Sequence, residues 1–318
     1  MKKLLYLSLP LVMMVLLASC IKDNIEGCER DIVFEYYADG DTDVFPKHVT
    51  SVNLYVFDSE DRLLEKYCRR LEQNDLKSYQ GVKLSLNPGE YRFVCLGNDY
   101  DLTEVYNTDC GDMSGITYRN PDCFETLCEG NDSLYLGSKR VVIPEDAWYF
   151  RDKIRLYSSH HKVSYTVKGY YPEELTRAGS YLELRVKNLA PQSSFDQAHA
   201  QNLGHGEKVD YAPEFEWNSE NGDHVARFNI MRHRADSSVE FELIDKATGT
   251  VLHTLALKDF LAEYEEYIDV TKQEVLIPIV VEFKTVGITV TIADWVVNNV
   301  TPGFGNDNGN EPDTNNNI

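Results

Sequence analysis

Apolar and polar residues alternate along most of this chain. Val52, Leu54 and Val56 are interleaved with Asn53, Tyr55 and Phe57, and Val82, Leu84 and Leu86 with Lys83 and Ser85. Tyr91, Phe93 and Cys95 flank Arg92 and Val94, and Leu182, Leu184 and Val186 flank Glu183 and Arg185. The same period runs through Val239, Phe241 and Leu243, and through Val286, Ile288, Val290 and Ile292. A period of two turns one face of a strand to a core and the other to water, the signature of antiparallel sheets. Turn chemistry separates the runs at Asp58-Ser59-Glu60-Asp61, Asn87-Pro88-Gly89 and Lys246-Ala247-Thr248-Gly249. Many short strands punctuated in this way predict an all-β chain of antiparallel β-sandwiches. Helical spacing is confined to Leu257, Phe260, Leu261, Tyr264 and Tyr267, which predicts one short helix over Lys258–Tyr267. Asp99–Tyr106 reads as a second helix or a loop, and no stretch alternates strand and helix as a parallel α/β fold requires.

The N-terminus breaks the pattern. Lys2 and Lys3 precede an apolar run from Leu4 to Leu17, which closes on Leu17-Ala18-Ser19-Cys20. A charged start, a short apolar run and small residues at its end describe a secretory signal. The run is shorter than the roughly 20 residues a spanning helix needs. The ending Leu-Ala-Ser-Cys resembles the bacterial lipobox, which implies cleavage between Ser19 and Cys20 and acylation of Cys20. Several acyl chains, at about 0.8 kcal/mol per buried CH₂, make such an anchor effectively permanent. The chain therefore divides into a signal peptide (1–19), a lipidated leader (20–30), two β-sandwich domains (31–155 and 156–301) and a tail (302–318). The tail, rich in Gly and Asn with almost nothing to bury, predicts disorder.

Composition narrows the partners. Hydrophobic residues make up 42% and charged residues 26%, an ordinary globular balance. The formal net charge of −21 falls to −23 once Lys2 and Lys3 leave with the signal. That balance argues against nucleic acid and against adsorption to anionic lipid, so a membrane anchor must be covalent, through the acylated cysteine. Cys20 apart, six cysteines remain: Cys28, Cys68, Cys95, Cys110, Cys123 and Cys128. On an exported chain an even number predicts disulfides among some of them, with connectivity open. Zinc is the competing reading, but Cys123 and Cys128 form the only close pair, so no metal site is expected.

No catalytic constellation emerges, and neither an enzyme nor a cofactor is predicted. Gly-x-Ser-x-Gly, His-Glu-x-x-His and phosphate-binding glycine loops are missing from the sequence. His160 and His161 are adjacent, so on a strand they point to opposite faces and do not share an ion; a surface role is expected. Asp39-Gly40-Asp41-Thr42-Asp43 lacks the glutamate that closes a calcium loop and reads as a solvated turn. The 20 tyrosines with Trp148, Trp217 and Trp295 keep glycan stacking open. Trp217, set in a polar stretch beside Glu214, Glu216 and Asn218, is its candidate residue.

Three segments in order resemble the Bacteroidales fimbrial anchor lipoproteins (FimB/Mfa type). They are Cys28 followed by Asp31–Tyr37; Val49–Asp58 followed by an acidic turn and Arg62-Leu63-Leu64; and Leu84–Val94, closing on Leu96-Gly97-Asn98. Ile288–Trp295 also looks like the family's ending. The resemblance implies two tandem transthyretin-like β-sandwich domains held in the outer membrane by lipid and exposed at the cell surface. It also implies fimbrillin-like shaft subunits as partners, joined by strand complementation, with the anchor limiting shaft length. In that picture shaft subunits lose their leader by cleavage after an arginine. Here only Ile21–Arg30 separate the lipid cysteine from the first strand, too little for a removable strand, although Arg30 is open to cutting. The alternative is a cell-surface glycan-binding lipoprotein of a polysaccharide-uptake system.

Overall fold

The computed structural model describes residues 29–170, 181–197, 201–218 and 220–293. Ser19, Cys20, Cys28, Trp295 and the Gly/Asn-rich tail lie outside them. Twenty strands carry the described fold, as the alternation predicts.

The first sandwich is built from two sheets. One runs β4 (Gly81–Ser85), β1 (Glu29–Glu35), β9 (Phe150–Arg155). The other runs β10 (Tyr157–Ser158), β8 (Tyr135–Ile143), β5 (Gly89–Gly97), β2 (Val52–Phe57), β3 (Arg69–Leu71). Between them lies a core that includes Ile32, Phe34, Val52, Leu54, Val56, Phe93 and Ile154. Two short helices, α1 (Phe45–His48) and α2 (Gln73–Ser78), cap its openings with Phe45 and Leu76 turned inward.

The second sandwich repeats this wiring. One sheet runs β15 (Glu216–Asn218), β16 (Asp223–Met231), β11 (His160–Lys168), β19 (Leu276–Phe283), β20 (Ile288–Ile292). Facing it is β14 (Val209–Tyr211), β12 (Leu182–Leu189), β17 (Glu240–Asp245), β18 (Val251–Ala256). Helix α3 (Leu257–Glu263) buries Leu257, Phe260 and Leu261 against this core. In each unit the first strand lies between one antiparallel and one parallel neighbour: β1 between β4 and β9, β11 between β16 and β19. The two parallel pairs depart from a wholly antiparallel expectation. Strands so distant in sequence have ample chain for the crossover that a parallel pair needs.

A third sheet stitches the halves together. Strands β6 (Glu104–Tyr106) and β7 (Thr117–Arg119) leave the first unit, and β13 (Gln192–Ser194) of the second pairs with β7. Phe195, just after β13, is buried among Phe57, Val94, Leu96, Tyr118 and Leu136 of the first unit. Residues 104–106, read from sequence as helix or loop, are therefore strand, because Val105 pairs with Tyr118.

Two further expectations are corrected. The five described cysteines, Cys68, Cys95, Cys110, Cys123 and Cys128, are free. Cys95 is in the first core beside Leu54, Cys110 is exposed in a turn, and Cys123 and Cys128 are both in the second core. Burial pushes the Cys128 thiol up to about 12 and raises those of Cys95 and Cys123, so none is a ready thiolate. His160 and His161 are not surface residues. Both are buried at the start of β11, because the strand enters between the two sandwiches there.

Candidate functional site

The sheets end in several edges that differ sharply in chemistry. β9, the edge of the first unit's three-stranded sheet, reads Phe-Arg-Asp-Lys-Ile-Arg. Lys153 pairs with Glu35, Asp152 pairs with Lys139 at 2.5 Å, and the Arg155 guanidinium lies 5.1 Å from the Tyr37 ring centre. Charges of this kind blunt an edge against added strands. At the opposite edge of the same sheet, β4 presents Lys83, paired with Glu29 at 3.4 Å. β15 is three residues long and wholly exposed.

The edge after β19 is different. In the second unit β19 occupies the place of β9, but β20 covers it. A tight turn joins the two: the Lys284 amide donates to the Gly287 carbonyl at 3.0 Å, and Gly287 has φ +83, a conformation that glycine enters without strain. β20 reads Ile-Thr-Val-Thr-Ile, five β-branched residues suited to an extended backbone. Ile288, Val290 and Ile292 lie against the core, while Thr291 is exposed. Among the described residues no strand pairs with the outer side of β20, where the Tyr264 hydroxyl donates to the Val290 carbonyl at 3.4 Å, and no charged side chain interrupts it. An unpaired, uncharged strand edge is a template for another strand: backbone groups supply affinity and alternate side chains supply register.

The chain enters at the other end. β1 runs from Glu29 to Glu35, and Leu156 of the interunit connection donates to the Glu35 carbonyl at 2.8 Å. Glu35 is thus at the junction and Glu29 at the far pole of the first unit. β11 leaves the junction and reaches the far pole of the second unit at Lys168, beside Glu282 and the β19–β20 turn. Arg30, expected from sequence to be open to cutting, is 0% exposed. Its Nη1 donates to the Ala147 carbonyl at 2.7 Å and its Nε to the Leu86 carbonyl at 3.3 Å. Its backbone is flanked by Leu84 of β4 and Phe150 of β9. A protease that binds extended chain finds neither edge of β1 free at this bond.

A half-buried carboxylate joins the two units at their junction. Glu274 precedes β19, and its Oε1 accepts from the Tyr36 hydroxyl at 2.6 Å and the Tyr135 hydroxyl at 2.9 Å, both from the first unit. Nδ1 of His48 lies 3.3 Å away, and Lys162 Nζ donates to Oε2 at 2.8 Å. The neighbouring Gln273 amide donates to Asp39 Oδ2 at 2.8 Å. Asp39 is therefore a cross-unit acceptor rather than part of a merely solvated turn. Burial alone would raise the Glu274 carboxyl, but the cationic side chains around it, Lys162 foremost, hold it down at about 2. Burial lowers the His48 imidazole below its usual range, so at neutral pH the ion partner is Lys162. From below, Arg232 ties the same loop with bonds to the carbonyls of Val270, Lys272 and Gln273.

Sequence reading missed this cluster, since Tyr36, His48, Tyr135, Lys162 and Glu274 are scattered over more than 230 positions. The only signal was a glutamate, Glu274, set directly before the apolar run Val275–Val281. Trp217 lies on β15, 46% exposed and edge-on to His224 at 4.7 Å. Among the described residues no group of His, Cys, Asp and Glu is arranged to hold a metal.

Residues 26–301 match the model of a family described as fimbrillin-A associated anchor proteins Mfa1 and Mfa2. Similar solved structures include the fimbrial anchor protein Mfa2 from Porphyromonas gingivalis, 16% identical, with 84% of this chain and 98% of that one covered and a TM-score of 0.59. A Bacteroides ovatus protein provisionally described as an adhesin is 18% identical, with coverages of 86% and 96% and a TM-score of 0.66. A Bacteroides thetaiotaomicron protein provisionally described as polysaccharide binding is 18% identical, with coverages of 83% and 95% and a TM-score of 0.63. At such identities these structures share the fold. A comparison with curated proteins returned no match.

Proposed function

The chain belongs to the family of fimbrillin-A associated anchor proteins Mfa1 and Mfa2, and from that premise we propose that it is an outer-membrane lipoprotein that seats a fimbrial shaft and limits its length. The family is one of fimbria-associated structural proteins, not of enzymes. In this reading Cys20 carries the acyl chains and the outer edge of β20 receives a strand from a shaft subunit. The observation that carries it is the placement of two ends. The chain enters at one pole through a strand flanked on both sides, and an uncharged edge strand with no strand on its outer side rises from the turn at the other. The stitched sheet and the Glu274 cluster between them make a stiff strut, suited to holding a fibre away from its tether.

Two experiments test this. Fatty-acid labelling should disappear in Cys20→Ala, and persistent labelling would refute lipidation at that residue. Deleting the gene should shed fimbriae into the medium or lengthen them; fimbriae unchanged in length and still cell-bound would remove the anchor role. A second reading, glycan binding, is supported by the exposed ring of Trp217 and is tested by retention of Trp217→Ala on polysaccharide columns.

A further inference from the structure

The pole at which the chain enters also carries the most exposed tryptophan among the described residues. Trp148 is 71% and Tyr149 64% exposed, on the loop that leads into β9. β9 runs parallel to β1 with Phe150 beside Arg30, so Tyr149 stands level with Glu29 and Trp148 one residue further toward the pole. Neighbouring strands are about 4.8 Å apart, so these rings stand next to the point where the leader emerges. The loop is braced. The Ala147 carbonyl accepts from buried Arg30, the Tyr149 hydroxyl donates to Asp31 Oδ2 at 3.2 Å, and the Ala147 amide closes a turn onto Pro144. Its aromatic pair is thus fixed relative to β1 and turned outward.

We propose that Trp148 and Tyr149 form a foot that seats in the headgroup layer of the bilayer holding the acylated N-terminus, setting the angle at which the protein stands. This rests on lipidation of Cys20. Cys20 lies nine residues before Glu29, so the leader spans at most about 30 Å and keeps this pole at the membrane. Indole and phenol rings favour the interface, where an apolar body meets lipid and a polar tip meets water. Glu145 and Asp146, exposed beside them, stay in water and limit the foot to headgroup depth. With the net charge of −21 lowered to −23 once Lys2 and Lys3 have left with the signal, the chain gains nothing from anionic lipid, so a zwitterionic bilayer is the matching surface.

The full lipidated chain, reconstituted into phosphatidylcholine vesicles with or without brominated acyl chains, tests this. Trp217→Phe with Trp295→Phe leaves Trp148 as the lone tryptophan. Its emission should shift to shorter wavelength on reconstitution and be quenched by the brominated lipid, and neither effect should occur with Cys20→Ala. Quenching of the wild-type chain measured against Trp148→Phe gives the same reading by difference without altering the second sandwich. Protein that floats with vesicles while Trp148 stays unshifted and unquenched would overturn the foot alone. Protein that does not float would overturn the tether and the foot together.

Discussion

β9 and β20 lie at the same margin of two similarly wired sandwiches, and they treat it in opposite ways. β9 is guarded by Arg151, Asp152, Lys153 and Arg155, with cross-links to Glu35 and Lys139. β20 adds a strand where the first unit stops and then offers Thr, Val and Ile with no charge at all. A duplicated fold has two equivalent places to be sticky, and uncontrolled pairing at either costs solubility. Closing one and leaving the other open turns a symmetrical liability into a directional one, which in the proposed reading sets the tether at one pole and the acceptor at the other.

The largest effect is expected from closing the open edge. Thr291→Lys places a gatekeeper on the exposed face of β20 and should release most cell-bound fimbriae while leaving the fold intact. Melting of the variant should stay within about 0.5 kcal/mol of the parent, and fractionation of cells from medium reads the function. Next in size is the joint. Glu274→Ala strands the Tyr36 and Tyr135 hydroxyls and Lys162 without their acceptor. It should cost about 3 kcal/mol and split a single denaturation into two, one per sandwich.

Acid probes the same joint more gently. The Glu274 carboxyl is held at about 2 against an ordinary value of 4.5. A lowered folded value means that its stabilisation is complete above about 4.5 and fades as pH falls toward 2. The loss is on the order of 2–3 kcal/mol, and Glu274→Gln should flatten that limb of a pH–stability curve. Opening the guarded edge is a smaller perturbation. Arg151→Thr with Lys153→Thr should leave stability almost unchanged but promote self-association, visible by light scattering at high concentration. The least change is expected from Trp217→Ala, whose cells should keep their fimbriae in place.

The sandwiches were legible because alternation reports burial directly: Val52, Leu54, Val56, Leu182, Leu184 and Phe241 all face a core. Parallel pairing of β1 with β9 was not legible, since it joins strands about 120 residues apart with no local signal. The exposure of Val286 and the half-burial of Ile288 and Val290 show why the last strand read like any other. Its alternation is that of a core strand, and only topology reveals that no strand lies along its outer backbone. Arg30 looked cleavable because an arginine near a terminus is usually solvated; three-dimensional packing around Ala147 and Leu86 buries it. Glu274 escaped notice for the same reason as the histidines of β11. Burial of polar groups is decided by the junction between two units, which no single segment encodes.

The central claim is that β20, not β9, receives the fibre. Amide hydrogen exchange over residues 288–292 and 150–155, in the purified chain alone and bound to its fimbrial shaft, tests it most directly. The account predicts that outward-facing amides of β20 exchange quickly when free and become protected in the complex, with β9 unchanged. Protection appearing along β9 while β20 stays as it was would contradict it.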